Sequence, residues 1–312
     1  MAPGSAAKTR TCAARQHSPE SVDRLSNLAK VKSVREFLSQ RPSGPLYHYT
    51  DANGLLGILQ EKELWASNAL YLNDAREVAH GMNLLSEEIK GLLSVAVSLP
   101  KELKEAIEDW QESSRDAVGG PLVISFSEHP DQLSQWRAYC RGGSGFSIGF
   151  GLGDLEYASS ASQFRLVKCV YAPSEQAELI GAVVRYLRLG FHHKKAFKLG
   201  FLAFYQRLAQ KAFAVLLALK HEGFREEQEW RLISLDSQLP LRFRPGRFGI
   251  VPYCAVPLCK PGEKLGLANV YVGPNAAPEL AKAAVQELVG QHTRPFPNSQ
   301  PEIIASQIPY RV

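Results

Sequence analysis

Apolar positions recur at three- and four-residue steps over residues 19–40: Val22, Leu25, Leu28, Val31, Val34 and Leu38, behind the cap candidate Ser18. That spacing predicts an amphipathic helix. RPSGP at residues 41–45 breaks it, and LYHYT then reads as a short strand, so the domain boundary is placed near Pro42. DANGLLGIL (51–59) predicts a helix, LWAS (64–67) a strand or extended turn, and residues 74–97 a second helix. PLVISFSE (121–128) is a β-rich run, and Asp131 opens a helix through DQLSQWRAYC. RGGSG (141–145) ends that helix and feeds the strand FSIGF. FRLVKCVY (164–171) predicts a strand. The block at about 174–222 is helical in character, too long for a simple crossover, and reads as a helical insertion. QEWRLISL, FGIVPYCAVPL and ANVYVGP give three more strands, followed by a helix over 278–289 and a final strand near 303–310. Short strands mixed irregularly with helices predict α+β over a doubly wound sheet. The expected layout is a flexible tail (1–18), an N-terminal helix and linker (19–44), and a single α+β domain (45–312).

Composition narrows the class without choosing a chemistry. The chain has 312 residues, 36 Lys+Arg against 31 Asp+Glu, a net charge of +5 and 45% hydrophobic residues. Such a balance excludes wholesale disorder, and the surplus is too small to mark a nucleic-acid binder by itself. Five scattered cysteines, an odd number with no C-x-x-C pair, give neither a disulfide framework nor a zinc ribbon, and no metal site is expected. The longest apolar run, AFAVLLAL at residues 212–219, is far short of the roughly 20 residues that cross a bilayer. It predicts a buried helix and no membrane span. The first nineteen residues hold Lys8, Arg10 and Arg15 but no acid, and lack an apolar secretory core. The expected location is cytoplasmic.

No G-x-x-x-x-G-K-[ST], G-x-S-x-G, H-E-x-x-H or protein-kinase signature is present. What remains is a scattered constellation: Tyr47-His48-Tyr49-Thr50, Ser125-Phe126-Ser127, and Glu227-Gln228-Glu229-Trp230-Arg231. YHYT with DANGLLGIL and LWAS resembles the opening strand and helix of the ADP-ribosyltransferase superfamily, whose His-type branch begins with an H-x-T segment. ISFS resembles its second motif, an S-x-S strand supporting the nicotinamide pocket, and EQE resembles its E-x-E motif near a strand start. The three occur in the expected order. One departure is the pairing of His48 with an E-x-E segment, since the His-type branch usually carries a single catalytic Glu. Separately, YHYT, LND-x-x-E, SFSE, QWRAY, GFSIGF and EWR are similar to a widespread bacterial family of unknown function, over roughly residues 47–310.

The first resemblance implies an ADP-ribosyltransferase-like mixed sheet and an NAD-consuming ADP-ribosyltransferase or NAD glycohydrolase, including a bacterial defence or toxin effector. NAD is then the substrate, and an unknown protein or nucleic acid the acceptor. Cleaving the bond from ribose to nicotinamide develops a cation at the sugar, which a fixed carboxylate stabilises. Glu229 is the first choice for that role, at the start of a strand. Glu227, on the same face under strict alternation, would contact the acceptor or the second ribose hydroxyl. His48 would hydrogen-bond a ribose hydroxyl, Thr50 would support the adenosine side, and Ser125 or Ser127 would orient Glu229 or the ribose. Tyr71 or Tyr49 would stack on the nicotinamide.

Each residue also has an ordinary reading. His48 suits a hydrogen-bonded, half-buried strand position, the two serines a strand edge, and the glutamates a solvated acidic turn. Asp74 and Glu77 have capping-box spacing. Arg137 stands between gripping a phosphate and forming an ion pair. Arg231 would pair with a carboxylate across the sheet. Lys194, Lys195, Lys198, Arg207, Lys211 and Lys220, interleaved with aromatic residues, fit a solvated cationic helix face better than a nucleic-acid surface. The rival to the enzyme is a non-catalytic nucleotide or nucleic-acid binding module on the same fold.

Overall fold

A computed structural model of the protein describes residues 34–71, 80–81, 83–85, 87–88, 121–139, 145–192, 211–234, 239–246, 249–295 and 300–309. The compact unit containing them runs from Lys32 to Val312. The described end of the predicted N-terminal helix, α1 (Val34–Phe37), belongs to this unit and buries Val34 and Phe37. The rest of that helix, Asn73, Asp74 and Glu77, and most of the basic helical block lie outside the described residues.

β1 (Leu46–Asp51) runs directly into α2 (Ala52–Glu61) because Asp51 ends the strand and caps the helix, accepting from Gly54 N–H at 2.8 Å. Gly54 is required there, since a Cβ would collide with the Thr50 hydroxyl. Lys62, in the left-handed region at φ 57°, returns its N–H to Ile58 and releases β2 (Glu63–Asn68), followed by a 3₁₀ turn, Ala69–Tyr71. Next come β3 (Leu122–Ser127), α3 (Leu133–Tyr139), β4 (Gly145–Phe150), α4 (Leu152–Ala161), β5 (Phe164–Lys168) and α5 (Pro173–His192). A 3₁₀ helix (Glu222–Glu227) leads into β6 (Glu229–Ser234), then β7 (Arg242–Gly246), β8 (Gly249–Pro257), β9 (Leu265–Gly266), β10 (Asn269–Val272), α6 (Pro278–His292), β11 (Thr293–Arg294) and β12 (Glu302–Ala305).

Among the described residues, ten strands form one mixed sheet in the order β12-β10-β4-β1-β3-β2-β8-β7, with β6 added on β3 and β5 on β6. Among the described residues, only β10 and β12 pair in parallel within it. The fold is therefore α+β with a large mixed sheet, as the sequence pattern predicts. β3 is its branch point. One edge pairs with β6 from Val123 to Ser127, while the other divides between β2, at Leu122 and Val123, and β1 at the single pair Tyr47 and Ser127.

The two sheet faces bury different things. Leu46, Ile124, Phe126, Ile148, Trp230, Leu232 and Val270 face the main core, closed by Leu55 and Leu59 of α2, Leu155 of α4 and Val289 of α6. On the opposite face Tyr47, Tyr49 and fully buried Trp136 form a separate aromatic cluster. Among the described residues no helix is long and apolar enough to cross a membrane.

Candidate functional site

Ser127 and Glu229 are register partners on β3 and β6, and Tyr47 is the partner of Ser127 on β1. Directly opposed residues share a face, so Tyr47, Ser127 and Glu229 stand abreast on the face away from the main core. Ser125 and Arg231 form the next row. The Ser127 hydroxyl donates to the Glu227 carbonyl at 2.7 Å and accepts from His129 N–H at 3.0 Å. Gln132, just before α3, donates to the Glu226 carbonyl at 2.7 Å. The segment before β6 is thus fastened by SFSE on one side and by the QWRAY helix on the other.

Glu227 and Glu229 converge, though not by the strand alternation expected from sequence. Glu227 ends the 3₁₀ helix, and Gln228 makes a left-handed bend at φ 42°. That bend carries the chain into β6 with both carboxylates on Lys220 Nζ, at 2.6 Å for Glu227 and 2.5 Å for Glu229. Arg231 Nε donates to Glu229 at 2.7 Å, and its Nη1 to the Leu217 carbonyl. Arg231 therefore pairs with the carboxylate two residues back in its own strand. Burial alone would raise the Glu229 carboxyl, but Arg231 and Lys220 together hold it down at about 2. It is ionised throughout the physiological range. The side chain of Glu227 is 23% exposed, against 5% for Glu229.

Two half-open rings flank these charges. Tyr139, at the end of α3, keeps 39% of its surface open, while burial of its hydroxyl end and the charges of Glu229 and Glu227 push the phenol up to about 12. Phe224 lies under Lys220 Nζ at 4.9 Å. Tyr49 packs edge-to-face on Trp136 at 4.7 Å, lies 6.5 Å from Tyr139, and donates its hydroxyl to the His129 carbonyl at 2.7 Å. Asp131 supports α3 from below, accepting from Trp136 Nε1 and Ser306 Oγ, each at 2.6 Å.

The expected meeting of His48 with this cluster does not occur. One residue along β1 from Tyr47, His48 points to the opposite, core-side face, where its ring lies 5.8 Å from Phe126. Its Nδ1–H donates to the Ser125 carbonyl at 3.0 Å, and burial lowers its pKa, so the neutral ring is favoured. Thr50 shares that face by alternation and sits against Gly54 of α2. Tyr71 ends the turn whose first residue, Ala69, bonds Pro121 at the end of β3 opposite Ser127. The strand thus separates it from the carboxylates. Arg137 is exposed on α3. The ribose, adenosine and stacking roles expected of His48, Thr50 and Tyr71 are therefore not supported by this geometry, whereas Tyr49, Ser125, Ser127, Glu227 and Glu229 share one region.

Lys220 and Tyr139 are the members that sequence reading left out. The sequence pattern places Lys220 on the solvated basic face, yet it is 6% exposed. Its position carries a signal: a cation directly after eight apolar residues.

A family model described as a protein of unknown function (DUF2971) matches residues 135–232. The match begins just before Trp136 and ends within β6, so it spans the QWRAY helix, Lys220 and both glutamates, but not β1 or β3. No curated protein matches the chain, and no solved structure does.

Proposed function

We propose that the protein consumes NAD, as an ADP-ribosyltransferase or NAD glycohydrolase, at the cluster beside Ser127. The observation carrying this reading is that the S-x-S strand pairs with the strand that the E-x-E segment enters, with Ser127 abreast of Glu229, next to the point at which the H-x-T strand meets them. Glu229 would supply fixed negative charge to the sugar cation, since its ionised state does not depend on substrate. Glu227, more open to solvent, would contact the acceptor and take its proton. Ser127 acts here through backbone, holding the Glu227 carbonyl and so the spacing of the two carboxylates. Tyr139 takes the place of Tyr71 as a half-open ring whose phenol feels the charge of both carboxylates.

One observation favours the second reading, a non-catalytic nucleotide or nucleic-acid binding module. The charge of Glu229 is already met by two cations, which reduces what it can give a transition state. Incubation of the purified protein with NAD separates the readings. The enzyme releases nicotinamide, and E227Q and E229Q lower release at least tenfold while an NAD-induced thermal shift persists. A shift without release, unchanged in both variants, establishes the binding module. Neither release nor shift removes both NAD readings. A defence or toxin role adds one expectation: growth arrest on expression, relieved by E227Q.

A further inference from the structure

β2, β8 and β7 carry the sheet outward from β3, and one face of this extension combines aromatic and guanidinium groups. Ser67, Tyr253 and Arg242 form one row across the three strands, with Trp65 and Ala255 in the row on one side of it and Arg244 opposite Val251 in the row on the other. Trp65 is 45% exposed and stacks on Tyr253, with ring centroids 4.6 Å apart and 33° between planes. Arg244 Nη2 donates to Ser67 Oγ at 2.9 Å, leaving its buried Nε without a partner among the described residues. Arg242 reaches Glu63 at 3.0 Å with 58% of its side chain open, an exposed pair that a phosphate displaces at little cost.

We propose that this face docks single-stranded nucleic acid, with Trp65 on Tyr253 as the base platform and Arg242 and Arg244 gripping phosphates. Charge and residue type both point to that occupant. Residues 239–254 hold three arginines, no lysine and no acid, and guanidinium forks suit phosphate oxygens and aromatic faces together. Strand addition by a second copy is opposed at the outer edge, because β7 contains Pro245 and ends in Gly246. Trp65, Arg242 and Arg244 lie outside the Glu227 and Glu229 cluster, so the inference stands apart from the NAD reading.

The test is fluorescence anisotropy of a labelled oligothymidylate with the full chain, its W65A variant and the R242Q/R244Q double variant, each first shown to melt like the parent. We expect W65A to weaken binding about tenfold, from the loss of one stacked base. The double variant flattens the dependence of log K on log salt by about 1.4, the release expected of two phosphates on a single strand. No binding at low salt overturns the proposal. So does binding that neither variant changes, equal affinity for heparin with no effect of W65A, or association with anionic vesicles in place of the oligonucleotide; Phe243 and Ile250, exposed on the opposite side of the hairpin, would then mark a membrane contact.

Discussion

Glu229 is the most constrained residue of the site, because its side chain is 5% exposed and meets Lys220 and Arg231 together. E229A is expected to destabilise the fold by about 3–5 kcal/mol, the cost of breaking a buried pair from one side. E227A, at a more open position, costs about 1 kcal/mol or less. Urea denaturation of both variants checks this, and equal losses would contradict the buried geometry. The two shifted groups also set an acid limb. Glu229 falls from the ordinary 4.5 to about 2, so its contribution is complete above about 4.5 and is lost as pH drops toward 2. His48 is lowered from 6.5, so the unfolded chain takes up a proton that the folded one refuses, and stability declines as pH falls below about 6.5. H48Q keeps a donor for the Ser125 carbonyl without titrating, and should remove the upper window alone. At this scale residue types were legible and partners were not. The sequence shows that Ser127 and Glu229 are strand residues, but the face of His48 follows from the register of Tyr47 with Ser127, which no local pattern encodes.

Among the elements, α3 depends on a connection to the other end of the chain. Asp131 holds Trp136 Nε1, Ser306 Oγ and, at 3.2 Å, Gln307 N–H, so one carboxylate joins the QWRAY helix to the segment after β12. D131A leaves the buried indole N–H unsatisfied, with an expected loss of about 1–3 kcal/mol. Hydrogen exchange should speed up in both α3 and β12; a change confined to α3 would contradict the link. Most elements here were readable because their periods are clean, as in LYHYT and DANGLLGIL. Two escaped. α4 is weakly patterned and begins at Gly151 with no side-chain cap, so neither amphipathicity nor a start signal marks it. β7 contains a proline, which argues against a strand unless the strand is an edge, and its edge position appears only once the sheet is assembled.

For the molecule as a whole, the branch at β3 is what brings distant segments together. β1, β3 and β6 are far apart in sequence yet neighbours in the sheet, and Tyr47, Ser127 and Glu229 each lie on one of them. Motif order could not show that the carboxylates would be met by Lys220, because that contact depends on how residues 211–220 return over β6. The same dependence makes the central claim testable on the intact chain. The direct measurement is nicotinamide release from NAD by the wild-type protein alongside E227Q, which spares the buried pair of Glu229 with Arg231. The account predicts release by the wild type and at least a tenfold loss in the variant, with the NAD-induced thermal shift retained. Absence of release by well-folded wild type, or an undiminished rate in both E227Q and E229Q, would contradict it.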